Sequence, residues 1–456
     1  MTIVASPERR SRKQKPLVSE SSPLLPEKHQ DGEDCVHEGF NGASFSGAVF
    51  NLSTTVVGAG IMALPATMKV LGLVLGILLI IFVGLLTDAS IDILLRFSRA
   101  GAAASYGGVM GDAFGRIGKM LLQICVIINN LGILIVYMII IGDVLSGTSS
   151  NGLHHAGILE EWFGFHWWNG RVQILLLTTV LILAPLVSFK KVDSLKFTSA
   201  LSVALAVVFV VITAGIAIVK LFSGTIQMPR LLPDIVDHTS FLKLFTVVPV
   251  IVTAYICHYN VHSIYNELED PSEMQPIVRT SLALCSIVYI TTSFFGFLLF
   301  GDQTMDDILA NFDTNLGVPY SAVLNDIVRV TYVVHLMLVF PLIFFALRLN
   351  LDGLIFPAKK HLVLDNKRFI LITAGLIGIV FLGASFIPSI WDAFQFTGAT
   401  AAVCIGFIFP ASIALRDTNG ISTKKDIYLS LFMIFLAVVS SSIAIFSDIN
   451  SMFKKN

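Results

Sequence analysis

The residues best placed to do chemistry lie inside apolar stretches. Phe50-Asn51-Leu52-Ser53-Thr54-Thr55-Val56-Val57-Gly58-Ala59-Gly60-Ile61-Met62-Ala63-Leu64-Pro65 combines three hydroxyls, two glycines and a proline. Glycine weakens a helix through backbone entropy, and proline removes a donor and clashes with the preceding turn. A chain can unwind in a bilayer only where its freed N–H and C=O groups find partners in protein or in a wet cavity. Val57–Ile61 is therefore expected to be an unwound break near mid-membrane. Its free amides and half-helix ends would suit a carboxylate and a cation. The plainer alternative is a kinked helix that binds nothing.

A second interrupted stretch runs from Thr246 to Asp270. Pro249 is expected to interrupt its helix. Tyr255, His258, Tyr259, Asn260 and His262 follow, a set too polar to face lipid. Ionisable residues within a span usually face the bundle interior and mark a pathway. Interrupted segments at matching places in two halves are the sequence sign of an inverted-repeat transporter. Tyr, Asn and His also serve as plain hydrogen-bonding glue between helices; Asn129, Asn130 and Tyr137 on the third segment are further polar lining, or, for the asparagines, equally such glue.

These residues sit in a chain of 456 that is 55% hydrophobic and only 13% charged, with mean hydropathy +0.81. Soluble domains carry about 25% charged residues, so this is an all-α polytopic membrane protein. Eleven apolar segments of spanning length are read at 44–68, 71–95, 117–146, 171–189, 196–222, 240–266, 277–300, 319–346, 368–386, 391–415 and 425–447. They divide into a tail (1–42), a first repeat of five helices (43–222), a second (223–415), and an eleventh helix with a short tail (416–456). Of 30 Lys and Arg, 22 fall on the side of the N-terminal tail and 7 on the other, with Arg329 inside a helix. This asymmetry places the N-terminus in the cytosol.

The tail is basic and poor in aromatics, and reads as disordered. Glu20, Leu24 and Leu25 in it form an acidic dileucine pattern that sorting adaptors read for delivery to vacuoles or lysosomes. The net charge of −1 gives no reason to propose nucleic acid, and the five cysteines outline no disulfide framework. No cleavable signal peptide is read before the first helix. On the non-cytosolic side, residues 147–170 carry His154, His155 and His166 with Trp162, Trp167 and Trp168, and residues 301–318 are acidic and free of Lys and Arg. The tryptophans suit an interfacial belt. The histidines are either solvated or sensors of an acidic compartment. Asp326 and Arg329, three apart, are expected to pair. Asp88 and Asp92, four apart on one face of segment two, are either secondary proton carriers or simply lie near its cytosolic end, close to Arg96.

Phe50-Asn51-Leu52-Ser53 with Val57-Gly58-Ala59-Gly60-Ile61 resembles the FNLSNAIVGSGIL signature of the amino acid/auxin permease family, which includes SLC38-like and plant vacuolar transporters. Cys257-His258 with Ile264-Tyr265-Asn266-Glu267-Leu268 resembles that family's sixth helix, and Val328-Arg329 with Pro341 and Arg348 its eighth. The resemblance implies a LeuT-like fold of the APC superfamily, two five-helix inverted repeats plus one helix, and secondary transport of amino acids. It puts the substrate carboxylate on the amides of Gly58, Ala59 and Gly60 with help from Thr54 or Thr55. The ammonium faces carbonyls of Thr253–Ile256, and Tyr255, His258, Asn260 and Asn129 shape the pocket.

The resemblance also bears on the coupling ion. Sodium-coupled relatives have Asn where this chain has Thr54, and a threonine on helix eight where Val333–Phe340 has no hydroxyl. Proton coupling is the reading preferred over sodium, with His258, His262 and His335 as candidates because imidazole titrates near neutrality. No cofactor and no metal site is expected. The sequence holds no HExxH, GxSxG or Walker motif, which argues against an enzyme. A signalling transceptor and a channel are the remaining rivals.

Overall fold

A computed structural model describes residues 44–455, apart from 59, 151–152, 191–195, 314–315, 358–361 and 388–396. The dileucine residues Glu20, Leu24 and Leu25, and Ala59 of the first motif, lie outside the described residues.

The first apolar stretch is split. Helix α1 (Phe45–Val56) starts on Ser44, whose side chain accepts the Gly47 N–H. Helix α2 starts at Gly60 and runs to Ala100, turning sharply at Gly72 (φ 72°, ψ 169°), so its two limbs belong to the first and second predicted segments. That corner of conformational space is open almost only to glycine. A Cβ on Gly72 would also lie 2.6 Å from the Leu232 carbonyl carbon. Gly72→Ala is expected to lower the melting temperature of the purified protein by several degrees; an unchanged melt would show that the turn relaxes freely.

Helix α3 (Tyr106–Ser146) leads to a small hairpin, β1 (Thr148–Ser150) and β2 (Leu153–His155), with Thr148 opposite His155. The short α4 (Ile158–Phe163), α5 (Arg171–Val187) and α6 (Lys196–Phe222) follow. The second interrupted stretch gives α7 (His238–Tyr255) and α8 (His258–Glu267). Then come α9 (Met274–Phe300), α10 (Ser321–Ile355), α11 (Asn366–Phe386), α12 (Gly398–Arg416) and α13 (Lys424–Lys455). Among the described residues nine helices are long and apolar enough to cross a membrane, and α5 is a shorter apolar one.

Helix α2 packs along α9 and α7, and α10 lies against α3 and α6. Outward-facing side chains such as Leu78, Leu85, Ile117, Leu181, Val211, Ile287 and Leu371 are exposed and apolar, as a lipid-facing belt requires. Inside, Arg348 is buried with no carboxylate partner among the described residues. Its guanidinium donates to Val187 O (2.8 Å), Phe189 O (3.2 Å) and Thr373 Oγ1 (3.1 Å) and lies 4.1 Å over the Phe369 ring. The carbonyl end of α5 supplies the negative potential that holds it.

Two expectations are corrected here. Pro249 does not end its helix: α7 continues six residues past it to Tyr255, and the Thr253 hydroxyl donates to the Pro249 carbonyl (2.8 Å). Arg329 does not pair with Asp326. Its guanidinium reaches Glu161 (2.6 Å) and the carbonyls of Ala156 (2.5 Å) and Val144 (3.4 Å), while Asp326 accepts from Trp162 Nε1 (2.9 Å). Both side chains of α10 reach sideways to the 147–170 segment instead of along their own helix. His155 joins the same cap through Asp313 (2.6 Å), so it is partnered and not solvated. Arg171 pairs with Asp143 beside it. The expected placing of Asp92 holds, with Arg96 bonding it (2.8 Å) and Asp426 of α13 (2.7 Å).

Candidate functional site

The two breaks meet. At the first, the Val57 N–H closes α1 on Ser53 O (2.7 Å), and Val57 itself is extended (φ −75°, ψ 101°). At the second, Ile256 (φ −70°, ψ 114°) and Cys257 (φ −139°, ψ 0°) separate α7 from α8, whose first turn has no side-chain cap. The glycines matter here for room and not for backbone freedom: neither Gly58 nor Gly60 has a positive φ. A Cβ on Gly60 would lie 2.7 Å from the Ala254 Cβ, so the main chains of α2 and α7 touch at this point. A Cβ on Gly58 would lie 1.9 Å from the Tyr137 hydroxyl.

Tyrosines of two helices converge on the freed carbonyls. Tyr332 of α10 donates to Gly58 O (2.5 Å). Tyr289 of α9 stands 2.6 Å from both Val56 O and Ala254 O, one carbonyl from each break. A phenol has one proton, so at any instant one of the two carbonyls lacks its donor. Tyr289 is also the last of a ladder: Ser281 Oγ reaches Val49 O (3.2 Å) and Cys285 Sγ reaches Ser53 O (3.8 Å). Residues four apart share a helix face. The spacing Ser281, Cys285, Tyr289 thus binds α9 to the main chain of α1.

The sequence-predicted residues divide into those near this junction and those turned away from it. Thr55 and Asn260 come together across α1 and α8: Asn260 Nδ2 donates to Thr55 Oγ1 (3.2 Å), which donates to Asn51 O (3.0 Å). They border a cavity of about 20 Å³, room for roughly one water, with Asn51, Ser263 and Glu267 on its wall. Thr54 turns to α6 and donates to Ser199 O (3.3 Å). Tyr255 turns outward from the junction, bonding Ser286 Oγ (2.7 Å) beside Gly84. Asn129 Nδ2 donates to Asn130 Oδ1 (3.0 Å), and both amides are fully buried.

The three histidines are not brought together. His258 Nε2 contacts Ser90 Oγ (2.7 Å) and His262 Nε2 contacts Ser98 Oγ (3.1 Å), both on the second limb of α2. His335 is the one beside a break. Its Nδ1 lies 2.7 Å from Ser202 O, its ring also interacts with the Val57 carbonyl, and Tyr332 stands 4.9 Å from it, ring to ring. Ser202 O can only accept, so Nδ1 donates to it, and Nε2 has no hydrogen-bond partner among the described residues. Tyr289, Tyr332, Ser202 and Cys285 escape a sequence reading, yet the four-residue spacing on α9 was a usable signal.

Paired helix breaks whose freed main-chain groups face a shared interior define a membrane transporter of the broken-helix class. The model of the family described as transmembrane amino acid transporter protein matches residues 41–453, and the chain belongs to that family. It is 66% identical over 436 residues to amino acid transporter AVT6A of Arabidopsis thaliana, covering 96% of this chain and 94% of that one. It is 62% identical over 442 residues to amino acid transporter AVT6B of the same plant, covering 96% of each. Among solved structures it is similar to a variant of the manganese transporter of Eremococcus coleocola. The TM-score is 0.53 at 12% identity, covering 90% of this chain and 88% of that one. That likeness shows the fold, the LeuT-like arrangement.

Proposed function

We propose that this chain is a secondary active transporter that moves amino acids across an endomembrane by alternating access, driven by protons. The observation that carries the reading is the pair of carbonyls, Val56 O and Ala254 O, sharing the single Tyr289 proton. A zwitterion completes such a site: its ammonium supplies the missing donors, and its carboxylate takes main-chain amides at the breaks, such as those of the uncapped first turn of α8. Main-chain donors stabilise an anion without burying a fixed cation. The Thr55–Asn260 contact narrows the path on the α1 and α8 side, and alternating access requires it to part.

Protons are favoured over sodium because α10 brings an imidazole and the Tyr332 phenol to the first break, and no serine or threonine hydroxyl. His335 on Val57 and Ser202 is the group to carry the charge. The dileucine residues Glu20, Leu24 and Leu25 support a vacuolar or lysosomal membrane with a cytosolic N-terminus, which a fluorescent fusion localises.

The test is uptake and counterflow of labelled amino acids in proteoliposomes, with pH and sodium varied separately. Accumulation in sodium-free buffer that follows an imposed pH gradient and collapses with a protonophore is expected. A strict sodium requirement would reverse the choice of ion. Absence of counterflow for every amino acid would remove the transport reading itself.

A further inference from the structure

We propose that Asp307 is a proton-binding residue on the approach to the helix breaks, and that taking up this proton lets the segment 301–313 seat over them. The inference deepens the proton-coupled reading and rests on it for the use to which the proton is put.

The segment is a plug by its packing. Beyond Gly301 (φ 53°) the chain folds into a short 3-10 turn, Ile308–Asp313, whose Ile308, Leu309 and Phe312 are fully buried. Ile308 fills the space left by Gly296 beside Pro65, in the first turns of α2 after the break. Phe312 stands against Phe300 (5.2 Å) and Phe209 (6.4 Å), and Phe209 against Tyr332 (5.2 Å), the residue that holds Gly58 O. From plug to break the contacts are continuous.

Asp307 opens this turn and goes under with it, at 6% exposure. Its Oδ1 accepts the Leu309 N–H (3.0 Å), and it makes no ion pair among the described residues. The charged and titratable groups that face it are Asp306 on its own segment and Arg329 and Tyr332 on α10. Arg329 is committed to Glu161 and two carbonyls. On the neighbouring elements Lys69 of α2 donates to Thr304 O (3.4 Å), Asp143 of α3 pairs with Arg171, and His155 of β2 pairs with Asp313.

A buried carboxylate with no ion-pair partner is desolvated at a cost that the Leu309 N–H and the more distant Arg329 only partly offset, so it binds a proton instead. Burial pushes the Asp307 carboxyl up to about 7. The sign is then fixed. Between an ordinary carboxyl near 3.8 and the seated one near 7, the seated segment holds a proton that the released segment does not. Acid therefore favours seating through that window: seating weakens as pH rises towards about 7 and levels off above it, where both states are ionised. A protonated Asp307 closes the approach; ionisation expels it.

The test uses the full chain in nanodiscs, with amide hydrogen exchange of residues 304–313 at about pH 6 and pH 8, corrected for intrinsic rates. In the wild type, protection is expected to fall by about tenfold in all between pH 6 and pH 8, most of it below about pH 7. In Asp307→Asn, a neutral isostere, it should change less than about twofold. Uptake driven by a pH gradient should fall about tenfold in Asp307→Asn, and counterflow, which moves no net proton, should fall less. Equal wild-type protection at both pH values, or an Asp307→Asn profile like the wild type, would overturn the proposal. A pH-gated segment in a wild type whose uptake ignores the gradient would support the proton site and defeat the coupling reading instead.

Discussion

Gly58→Ala is expected to cut amino acid uptake by roughly ten- to a hundredfold while leaving the protein in the membrane. The added carbon would stand 1.9 Å from the Tyr137 hydroxyl and 3.0 Å from its ring carbon Cζ. The neighbouring Gly58 carbonyl is held by Tyr332 and by the Ile61 N–H (3.2 Å), so the main chain cannot step aside without giving up both. Overpacking of this kind costs about 1–3 kcal/mol or more, which at a transport step corresponds to a loss of roughly ten- to a hundredfold. The cause is separable from general damage. Removing the offending oxygen in Gly58→Ala with Tyr137→Phe should restore part of the flux, since the ring carbon then is the nearest atom. If Gly58→Ala alone transports like the wild type in proteoliposomes, the first break has no close neighbour in the working protein.

The second large effect is expected at Tyr289. Phenylalanine keeps the ring and deletes the one donor shared by Val56 O and Ala254 O. A buried carbonyl deprived of its partner costs about 1–3 kcal/mol, so a loss of roughly thirtyfold in flux at equal expression is the expectation. Tyr255→Phe is the control. It deletes only the bond to Ser286 Oγ, away from the junction, although the ring lies 5.2 Å from that of Tyr289. It should retain flux within about threefold, the cost of one hydrogen bond being about 0.5–1.5 kcal/mol. The reverse order of severity would mean that the pocket lies on the α2 side of α7 and not between the breaks.

That contrast marks what could be read from residues and what could not. The breaks were legible because Gly58, Gly60 and the His258–His262 cluster are poor company for a lipid-facing helix. Their membership in one arrangement was legible because they recur at matching places. The reason for the glycines was not: both have ordinary φ, and only the approach of Tyr137 and Ala254 in three dimensions shows that space, not flexibility, is what they provide.

Pro249 misled because a membrane helix can carry a proline without ending, with the Thr253 hydroxyl bonding the local carbonyl. Arg329 misled because sequence spacing reports only neighbours on the same helix, whereas Glu161 reaches it from another element. Asp307 was invisible for a different reason. An acidic loop reads as solvated, and nothing in Asp306-Asp307 says that one of the pair is drawn under by Ile308 and Leu309. Tyr289, Cys285 and Ser281 looked like ordinary members of an apolar span, since their partners are main-chain carbonyls that leave no complementary residue type in α1.

The ladder on α9 carries a mechanical consequence. Every rung ends on backbone oxygen, so the seam is indifferent to which side chains α1 displays and behaves like a zip fastener. Opened from its Val49 end, such a seam would let go of Val56 last. The first half-helix can thus swing by degrees on a hinge at Tyr289, the same hydroxyl that the cargo's ammonium would contest.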